Sequence, residues 1–342
     1  MIDWTVATFP VIHEPFGDVI NNIKTKTNDE RAYRKKFALK NGTSSLLVQS
    51  VGNGKKLKVS GNYANYLQKH NIFGSNNLRG LAVDIFVLVT SKLGLGYSDA
   101  EMQDVIDGNF AIKEVHVAGN FRSQNRNEVH LIVHEIDRHW HDLGKNVSNY
   151  GVETVYLNQH STDLSLKFYD KRKQLSDCPL PKGIPQRDRL LKYAEGLVRA
   201  ELTFGAAELK RRGLDKGSNW TVGIAKALLN DEIAKSGIYG TIKRLLLPVE
   251  YDELPRHLKI TYRLWLHGDA PKSIMEEQTY RNHRNALKLR GIDVSQAQPK
   301  ERIVDVDIKS LLSPDNMLNF PKFAEEYGLV HIPAKIMNDT NN

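Results

Sequence analysis

The chain has 342 residues, more than one domain usually needs, so a catalytic domain with a smaller appended domain is expected. Its 40% hydrophobic and 26% charged residues are typical of a soluble globular protein, and its net charge of +8 favours polyanionic partners. The single cysteine, Cys178, excludes an internal disulfide framework. The chain has neither an apolar run of about 18 residues nor a secretion signal, so we expect a cytoplasmic protein without membrane contact.

Hydrophobic periodicity predicts an α+β protein. Gly52, Asn53 and Gly54 separate two apolar runs and indicate a hairpin turn. The pattern favours a central, mainly antiparallel sheet with flanking helices. In chain order, the predicted elements are strands at 2–6, 46–51 and 56–59, a helix at 77–93, a strand at 111–117, a helix at 127–143, strands at 154–157 and 164–169, a helix at 187–195 and a strand at 197–204.

After Leu214 the pattern turns helical, and Pro248 to Pro255 indicates a hinge. We therefore predict a first domain at 1–214, a helical connector at 215–255 and a helical unit at 256–342, whose end from Met337 is expected to fray.

Within the last unit, helices at 258–268, 271–275 and 279–290 have the cadence of a helix-turn-helix. The third carries residues suited to contacts with base edges and phosphates, so the unit either binds duplex DNA or is a helical hairpin that only packs on the first domain. These residues are Arg281, Asn282, Arg284, Asn285 and Lys288.

Three of the predicted strands carry chemically useful side chains on their polar faces. In the strand at 111–117, Glu114 and His116 are two residues apart and share a face, so they either hold a divalent cation or form a solvated strand face. In the strand at 197–204, Glu201 could complete a cation site. Its neighbour Arg199 could bind a phosphate, or the two could form a surface ion pair.

The strand at 164–169 alternates between apolar residues and Ser165, Lys167 and Tyr169, and Lys171 continues the polar series. Tyr169 is thus expected to point outward between cations, which favour its phenolate and make it a candidate nucleophile. Taken alone, an ordinary exposed strand tyrosine would show the same pattern.

Four histidines on the helix at 127–143 suggest a metal site. His134 and His139 are one residue too far apart for the zinc-protease motif. A solvated helix face is therefore preferred for the whole set, which comprises His130, His134, His139 and His141.

The chain resembles the filamentous-phage gene II and gene X replication initiators and, more distantly, plasmid rolling-circle initiators. The resemblance covers most of the chain. It is carried by four motifs in the family's order, at Gly61–Gly74, Glu114–Phe121, Ser165–Lys171 and Gly196–Glu201.

The resemblance implies a fold similar to that of the HUH nucleases, with Mg²⁺ or Mn²⁺ as the metal. Tyr169 matches the family's nucleophile and Glu201 its acidic residue after the arginine. His116 stands where many members carry Asp, and Glu114 replaces a common Arg. The metal ligands implied are thus Glu114, His116 and Glu201.

The implied reaction nicks origin DNA through a 5′-phosphotyrosine on Tyr169 and later rejoins the strand, with Tyr156 as a reserve nucleophile. Origin DNA, single-stranded at the nick and duplex for recognition, would be the partner, with a host helicase and polymerase. Two alternatives remain: a plasmid-mobilisation relaxase, and a non-catalytic regulator that binds DNA only through its helix-turn-helix.

Overall fold

The structure is a computed structural model that describes residues 1–24, 29–245, 254–290, 292–296 and 303–334. For residues 20–24, 29–34, 243–245 and 303–304 it describes the backbone alone. The predicted hinge up to residue 253 and the predicted frayed end lie outside the described residues.

The strands belong to one large sheet and two small ones. In chain order they are β1 Ile2–Pro10, β2 Val19–Lys24, β3 Asp29–Arg34, β4 Phe37–Asn41, β5 Ser44–Val51, β6 Lys56–Gly61, β7 Ala111–Arg122, β8 Val147–Tyr150, β9 Thr154–Leu157, β10 Leu164–Asp170, β11 Leu197–Gly205, β12 Thr241–Leu245 and β13 Ile303–Asp307.

The helices lie between these strands and after them. They are α1 Tyr63–Gln68, α2 Leu78–Leu93, α3 Asp99–Ile106, α4 Arg126–Asp142, α5 Lys171–Asp177, α6 Arg187–Ala194, α7 Ala206–Arg211, α8 Ile224–Lys235, α9 Arg256–Leu266, α10 Pro271–Ile274, α11 Glu277–Lys288, α12 Ile308–Leu311 and α13 Lys322–Glu326. None in the described part of the chain is long and apolar enough to cross a membrane.

The large sheet has nine strands in the order β4-β5-β6-β1-β7-β11-β10-β9-β8, and every neighbouring pair is antiparallel. This confirms the predicted α+β fold with a central antiparallel sheet and flanking helices. The strands β7, β11 and β10, which carry the candidate site residues, are adjacent at its centre.

Alternation along the strands separates an apolar face from a polar one. Val115, Val117 and Leu202 are fully buried in the hydrophobic core, which includes the apolar stripe of α4. Burying apolar area stabilises the fold by roughly 25 cal/mol per Å², so this face fixes the register of the strands. The polar residues between them must then share the opposite face.

Some boundaries and elements differ from the sequence-based prediction. β7 runs five residues beyond the predicted end at 117. Lys171 does not continue β10, because Asp170 caps α5 through a hydrogen bond from Lys173 N to its side chain, and the chain turns into helix there. The predicted helical connector contains the strand β12, which pairs with β13. Residues 37–41, 63–68 and 147–150 form short elements that were not predicted.

The end of the described chain returns to the first domain. The predicted three-helix cadence is present as α9, α10 and α11, and the buried apolar residues of α9 and α11 belong to the same core cluster as the sheet. Residues 317–334 then cross the molecule: Met317 forms a bridge to Phe121, and His331 pairs with Asp84 of α2 at 2.7 Å.

Candidate active site

Strand register brings the predicted residues of three strands onto one polar face. Lys167 of β10 lies opposite Glu201 of β11, and Tyr169 lies opposite Arg199. His116 of β7 lies opposite Thr203. Thr203 is two residues from Glu201 in β11, so His116 and Glu201 share a face. Together with parts of β1, β9 and α5, the side chains of His116, Lys167, Tyr169 and Glu201 enclose a cleft of about 420 Å³.

Tyr169, Glu201 and His116 form a continuous hydrogen-bonded chain in this cleft. The Tyr169 hydroxyl donates to Glu201 Oε2 at 3.1 Å, and Glu201 Oε1 lies 3.3 Å from His116 Nδ1. Lys167 Nζ lies 3.0 Å from Glu201 Oε2 and 4.5 Å from the centre of the Tyr169 ring. The candidate nucleophile and the candidate acidic ligand are therefore in direct contact.

The pKa values in this cluster are displaced from their ordinary values. Burial, with the negative charges of Glu201 and Asp3, raises the pKa of Tyr169 well above 10, although Arg199 opposes this. Burial favours the neutral form of Glu201, but Lys167 and His116 outweigh it and hold its pKa well below the usual range. Burial also lowers the pKa of His116, but hydrogen bonds to Glu114 and Glu201 raise it to about 9. Without a bound cation, the phenol is protonated and Glu201 is ionised.

Tyr169 is less exposed than the alternation predicted. Only 6% of its surface is accessible, because residues of β1, α5 and the loop after α1 cover this part of the polar face. Alternation identifies the face on which a side chain lies, but it does not show what covers that face.

Arg199 is fully buried and does not reach a surface that DNA could contact. Its guanidinium pairs with Asp3 Oδ2 at 3.1 Å and donates to the backbone oxygens of Asn71 at 2.6 Å and Ile72 at 3.3 Å. The expected phosphate contact is therefore not available in this arrangement. Arg199 instead ties β11 to β1 and to the loop after α1.

Lys171 is also fully buried, at the start of α5. Its Nζ donates to Asn71 Oδ1 at 2.9 Å and to Gln174 Oε1 at 2.8 Å. Burial and the nearby charge of Arg199 lower its pKa well below 10.5. Lys171 does not line the cleft, and its hydrogen bonds instead tie the start of α5 to the loop after α1.

The first motif of the resemblance, Gly61–Gly74, forms hydrogen bonds that hold Asp3 beside the site. Asn62 caps α1 by accepting from Asn65 N, and its Nδ2 donates to Asp3 Oδ1 at 2.5 Å. Asn71 Nδ2 donates to the same oxygen at 3.2 Å. Asp3 therefore connects this motif to Arg199 and through it to β11.

The predicted cation ligands meet, but their arrangement assigns them different roles. His116 Nε2 lies 2.9 Å from Glu114 Oε1, while Nδ1 faces Glu201. One imidazole directs only one nitrogen at an ion, so the three side chains do not surround a common point. Among the described residues, no group of three His, Cys, Asp or Glu side chains is arranged to hold a metal.

The pair His116 Nδ1 and Glu201 nevertheless fits one divalent cation together with water or phosphate oxygens. Their separation of 3.3 Å is close to that between neighbouring ligands of one ion, and both side chains line the cleft with Tyr169. Glu114 then holds the other ring nitrogen, as carboxylates commonly do behind metal-bound histidines. Its geometry is that of an orienting residue instead of a ligand.

Tyr156 of β9 lines the same cleft, opposite Lys167 in the register. Lys167 Nζ lies 5.6 Å from the centre of its ring. Tyr156 is half-buried, so it is more accessible than Tyr169. Both predicted tyrosines are thus present at the cleft, on adjacent strands.

The residues predicted to contact duplex DNA lie on α11 and do not line the cleft, whereas Lys167, which was also predicted to contact DNA, lines the cleft. Arg281, Asn282, Asn285 and Lys288 are exposed, and Arg284 is half-buried and pairs with Asp293. Most of this face is therefore accessible to a ligand.

The histidines of α4 only partly occupy the predicted solvated face. His134 and His141 are exposed, but His139 is buried and stacks on Tyr239 at 4.0 Å. His130 lies 3.3 Å from Asp170 Oδ2 and 3.1 Å from an Arg263 nitrogen. These contacts are with elements distant in sequence, which helical periodicity does not reveal.

Sequence patterns missed several residues of the site. Asp3 lies at an irregularity in the pairing of β1 with β7, between Ile2 and Trp4, so simple alternation along β1 does not give the face on which it lies. Asn62 and Asn71 lie inside the motif Gly61–Gly74, but nothing local shows that both contact Asp3.

The comparisons with known proteins agree with the four motifs. A family model that describes the N-terminal part of the phage replication-associated gene II protein matches residues 1–223, which include all four. The replication-associated gene II protein of Enterobacteria phage I2-2 is 28% identical over 312 residues, which are 86% of this chain and 88% of that protein. The resemblance to gene II-type initiators is thereby confirmed, and the chain belongs to the family of phage replication-associated gene II proteins.

Proposed function

We propose that this protein initiates rolling-circle replication by nicking one strand of origin DNA with Tyr169 and later rejoining that strand. The contact that carries the proposal is the 3.1 Å hydrogen bond between the Tyr169 hydroxyl and Glu201, in a cleft that also contains His116. Membership of the replication-associated gene II protein family and the net charge of +8 support DNA as the substrate.

The proposed step is a transfer of the phosphodiester to the phenol. Tyr169 Oη attacks the phosphorus, and Glu201, which already accepts its hydrogen bond, is placed to receive the proton. The bond from phosphorus to the 3′ oxygen breaks, and that oxygen takes up the proton that Tyr169 released to Glu201, so that a free 3′-OH forms. A 5′-phosphotyrosine remains.

Rejoining reverses these bonds. A 3′-OH attacks the phosphotyrosine, and the phenol of Tyr169 leaves. Because the bond energy is retained in the covalent intermediate, the strand closes without ATP. The free 3′-OH would serve a host polymerase, and a host helicase would separate the strands.

The proposal includes Mg²⁺ or Mn²⁺ held by His116 and Glu201. When bound, the cation supplies positive charge beside the phenol and the scissile phosphate, which lowers the pKa of Tyr169 and stabilises the charge that develops. Lys167, with its Nζ 4.5 Å from the centre of the Tyr169 ring, adds to the same field.

Replacing Tyr169 with Phe is expected to abolish nicking of supercoiled origin DNA, because the attacking oxygen is lost. Denaturing gels of protein with origin oligonucleotide would show a covalent adduct with the wild type and none with this variant. Tyr156→Phe is the matched control, since it removes a hydroxyl from the same cleft. An adduct that persists in Tyr169→Phe and disappears in Tyr156→Phe would reverse the assignment.

Removal of divalent cations is expected to stop both nicking and adduct formation, with recovery on addition of Mg²⁺ or Mn²⁺. His116→Gln and Glu201→Gln should need far more cation for half-maximal nicking. Glu114→Gln should need only about 10- to 100-fold more, the usual cost of losing a carboxylate behind a metal-bound histidine. Nicking at full rate in excess chelator would contradict the cation assignment.

The same tests separate this proposal from the alternatives. A non-catalytic regulator would bind DNA through α11 and form no adduct. A mobilisation relaxase would also form the adduct. It would act at a transfer origin, so the DNA sequence that is cleaved distinguishes it.

A further inference from the structure

A cavity of about 330 Å³ lies beside the cleft, and the proposed nicking step does not use it. Ala118 and Asn120 of β7 line it, at the second and fourth positions after His116. Alternate residues of a strand share a face and lie about 7 Å apart. The cavity therefore lies next to the cleft along the same strand, and because Gly119 also lines it, it reaches both faces at this edge of β7.

The cavity lies where the edge of β7 changes its partner. Ile2 of β1 pairs with Val117, whereas Met317 forms a bridge with Phe121. Between the two partners the sheet leaves a gap, which Phe73 and Phe320 help to enclose. Val222 and Phe320 also line it and are 45% and 37% exposed, so the gap opens to solvent at that end.

Two amide oxygens at this cavity have no hydrogen-bond donor among the described residues. They are Asn120 Oδ1 and Asn76 Oδ1, which are both buried atoms. Asn120 is only 6% exposed, and its Nδ2 donates to Ile72 O at 2.7 Å, which fixes Oδ1 as the free acceptor. An unpaired buried acceptor costs roughly 1–3 kcal/mol, so these oxygens favour a ligand that brings N–H donors.

We propose that the cavity binds one base of the single strand, next to the phosphate in the cleft. This rests on the proposed function, because it takes the strand as the substrate. The exocyclic amino group of the base donates to Asn120 Oδ1 or Asn76 Oδ1. Adenine, cytosine and guanine carry such a group and thymine does not, so the cavity selects against thymine.

The walls suit the rest of the nucleotide. Phe73, Phe320 and Met317 provide aromatic and apolar surface for the ring. Lys226, a half-buried cation at the cavity, can pair with a flanking phosphate. Asn71 lines the cleft and Phe73 lines the cavity, so one short loop separates the phosphate from the base.

The test is a binding scan with the full-length protein and single-stranded origin oligonucleotides. Each nucleotide near the nick is replaced in turn by an abasic site, and each amino-bearing base by thymine. We expect one position beside the scissile phosphate at which the abasic site weakens binding about 10-fold or more, the usual effect of one stacked base. Thymine at that position should also bind more weakly.

Asn76→Leu should remove the discrimination against thymine at that position alone. Val222→Trp narrows the opening of the cavity, so with this variant the abasic site should no longer weaken binding. Asn230→Leu is the matched control, because Asn230 Oδ1 is also a buried unpaired oxygen but does not line the cavity. It should leave the scan unchanged.

Equal sensitivity at every position, or an Asn76→Leu variant that weakens all oligonucleotides equally, would overturn the proposal and leave water as the occupant. Binding is measured without cleavage. The scan can therefore fail while Tyr169-dependent nicking persists, and loss of nicking does not affect its outcome.

Discussion

His70 illustrates how a single buried residue makes stability depend on pH. Its Nε2 lies 2.7 Å from Leu329 O, and its Nδ1 accepts from Ile72 N, so the neutral ring has partners on both sides. Burial, with smaller contributions from the charges of Lys171 and Arg199, lowers its pKa to about 4, although the Leu329 contact opposes this.

This arrangement predicts a loss of stability on acidification. The unfolded chain binds the His70 proton near pH 6.5 and the folded chain only near pH 4. Between these values protonation favours unfolding, so the free energy of unfolding should fall by up to roughly 1.4 kcal/mol per pH unit. Below pH 4 both the folded and the unfolded chain bind the proton, so His70 causes no further fall in the free energy of unfolding. Denaturant titrations at pH 7, 6 and 5 would measure the slope.

The control for this prediction is His70→Gln, a residue that does not titrate. Its stability at pH 7 should be lower, since the packing is disturbed, but its dependence on pH should be shallower than that of the wild type. Identical slopes in the two proteins would show that another group is responsible.

At the scale of elements, the junction of β10 and α5 joins the strand that carries Tyr169 to two distant helices. Asp170 Oδ2 accepts from Arg126 Nε at 2.7 Å and lies 3.3 Å from His130, both on α4. His130 in turn contacts Arg263 of α9. The side chain of Asp170 is fully buried, so its charge depends on these partners.

Asp170→Asn is expected to lower the free energy of unfolding by about 2 kcal/mol, because it removes a charged acceptor from a buried network. Asparagine can still cap α5, so the fall in the free energy of unfolding should come from the lost interactions with Arg126 and His130. Burial raises the pKa of Asp170, but its bonds to His130 and Arg126 lower it overall, so this contribution is present at neutral pH and is lost as pH falls through the lowered pKa.

A double-mutant cycle with Arg126→Gln would test this prediction. Each substitution removes the same ion pair. The double variant should therefore lose less free energy of unfolding than the two single variants lose together. Additive losses would mean that Asp170 and Arg126 act independently.

At the scale of the molecule, DNA recognition and strand chemistry are predicted to lie in different places. The exposed face of α11 lies on a helix that packs against α9, while the cleft lies at the centre of the sheet. The two regions share one hydrophobic core, so duplex bound at α11 would be held at a fixed position relative to Tyr169.

Arg281→Ala and Asn285→Ala are therefore expected to weaken binding to duplex origin DNA by about 10-fold or more each, the usual worth of one bidentate contact with a base. Cleavage of a short single-stranded oligonucleotide should persist, since the cleft is unchanged. Lys235→Ala, which removes an exposed charge on α8, is the control for loss of charge alone. Equal losses in all three variants would refute base recognition by α11.

Local patterns were sufficient for the main strands and for the face on which their side chains lie. The predicted strand at 154–157 and the predicted helix at 187–195 agree with β9 and α6 to within one residue. Short elements such as α1 and β8 lack enough periodic residues to be recognised, and the start of α5 depends on the Asp170 cap.

The sequence by itself determined the antiparallel sheet, the four motifs and the shared face of His116, Tyr169 and Glu201, because alternation and residue chemistry are local properties. The tertiary structure decided which of these residues are covered. Arg199 and Lys171 became internal supports because Asp3 and Asn71, distant in sequence, fold over them. The pairing of β11 with β10 and β7 and the position of the loop after α1 determine that burial, and no local pattern encodes either one.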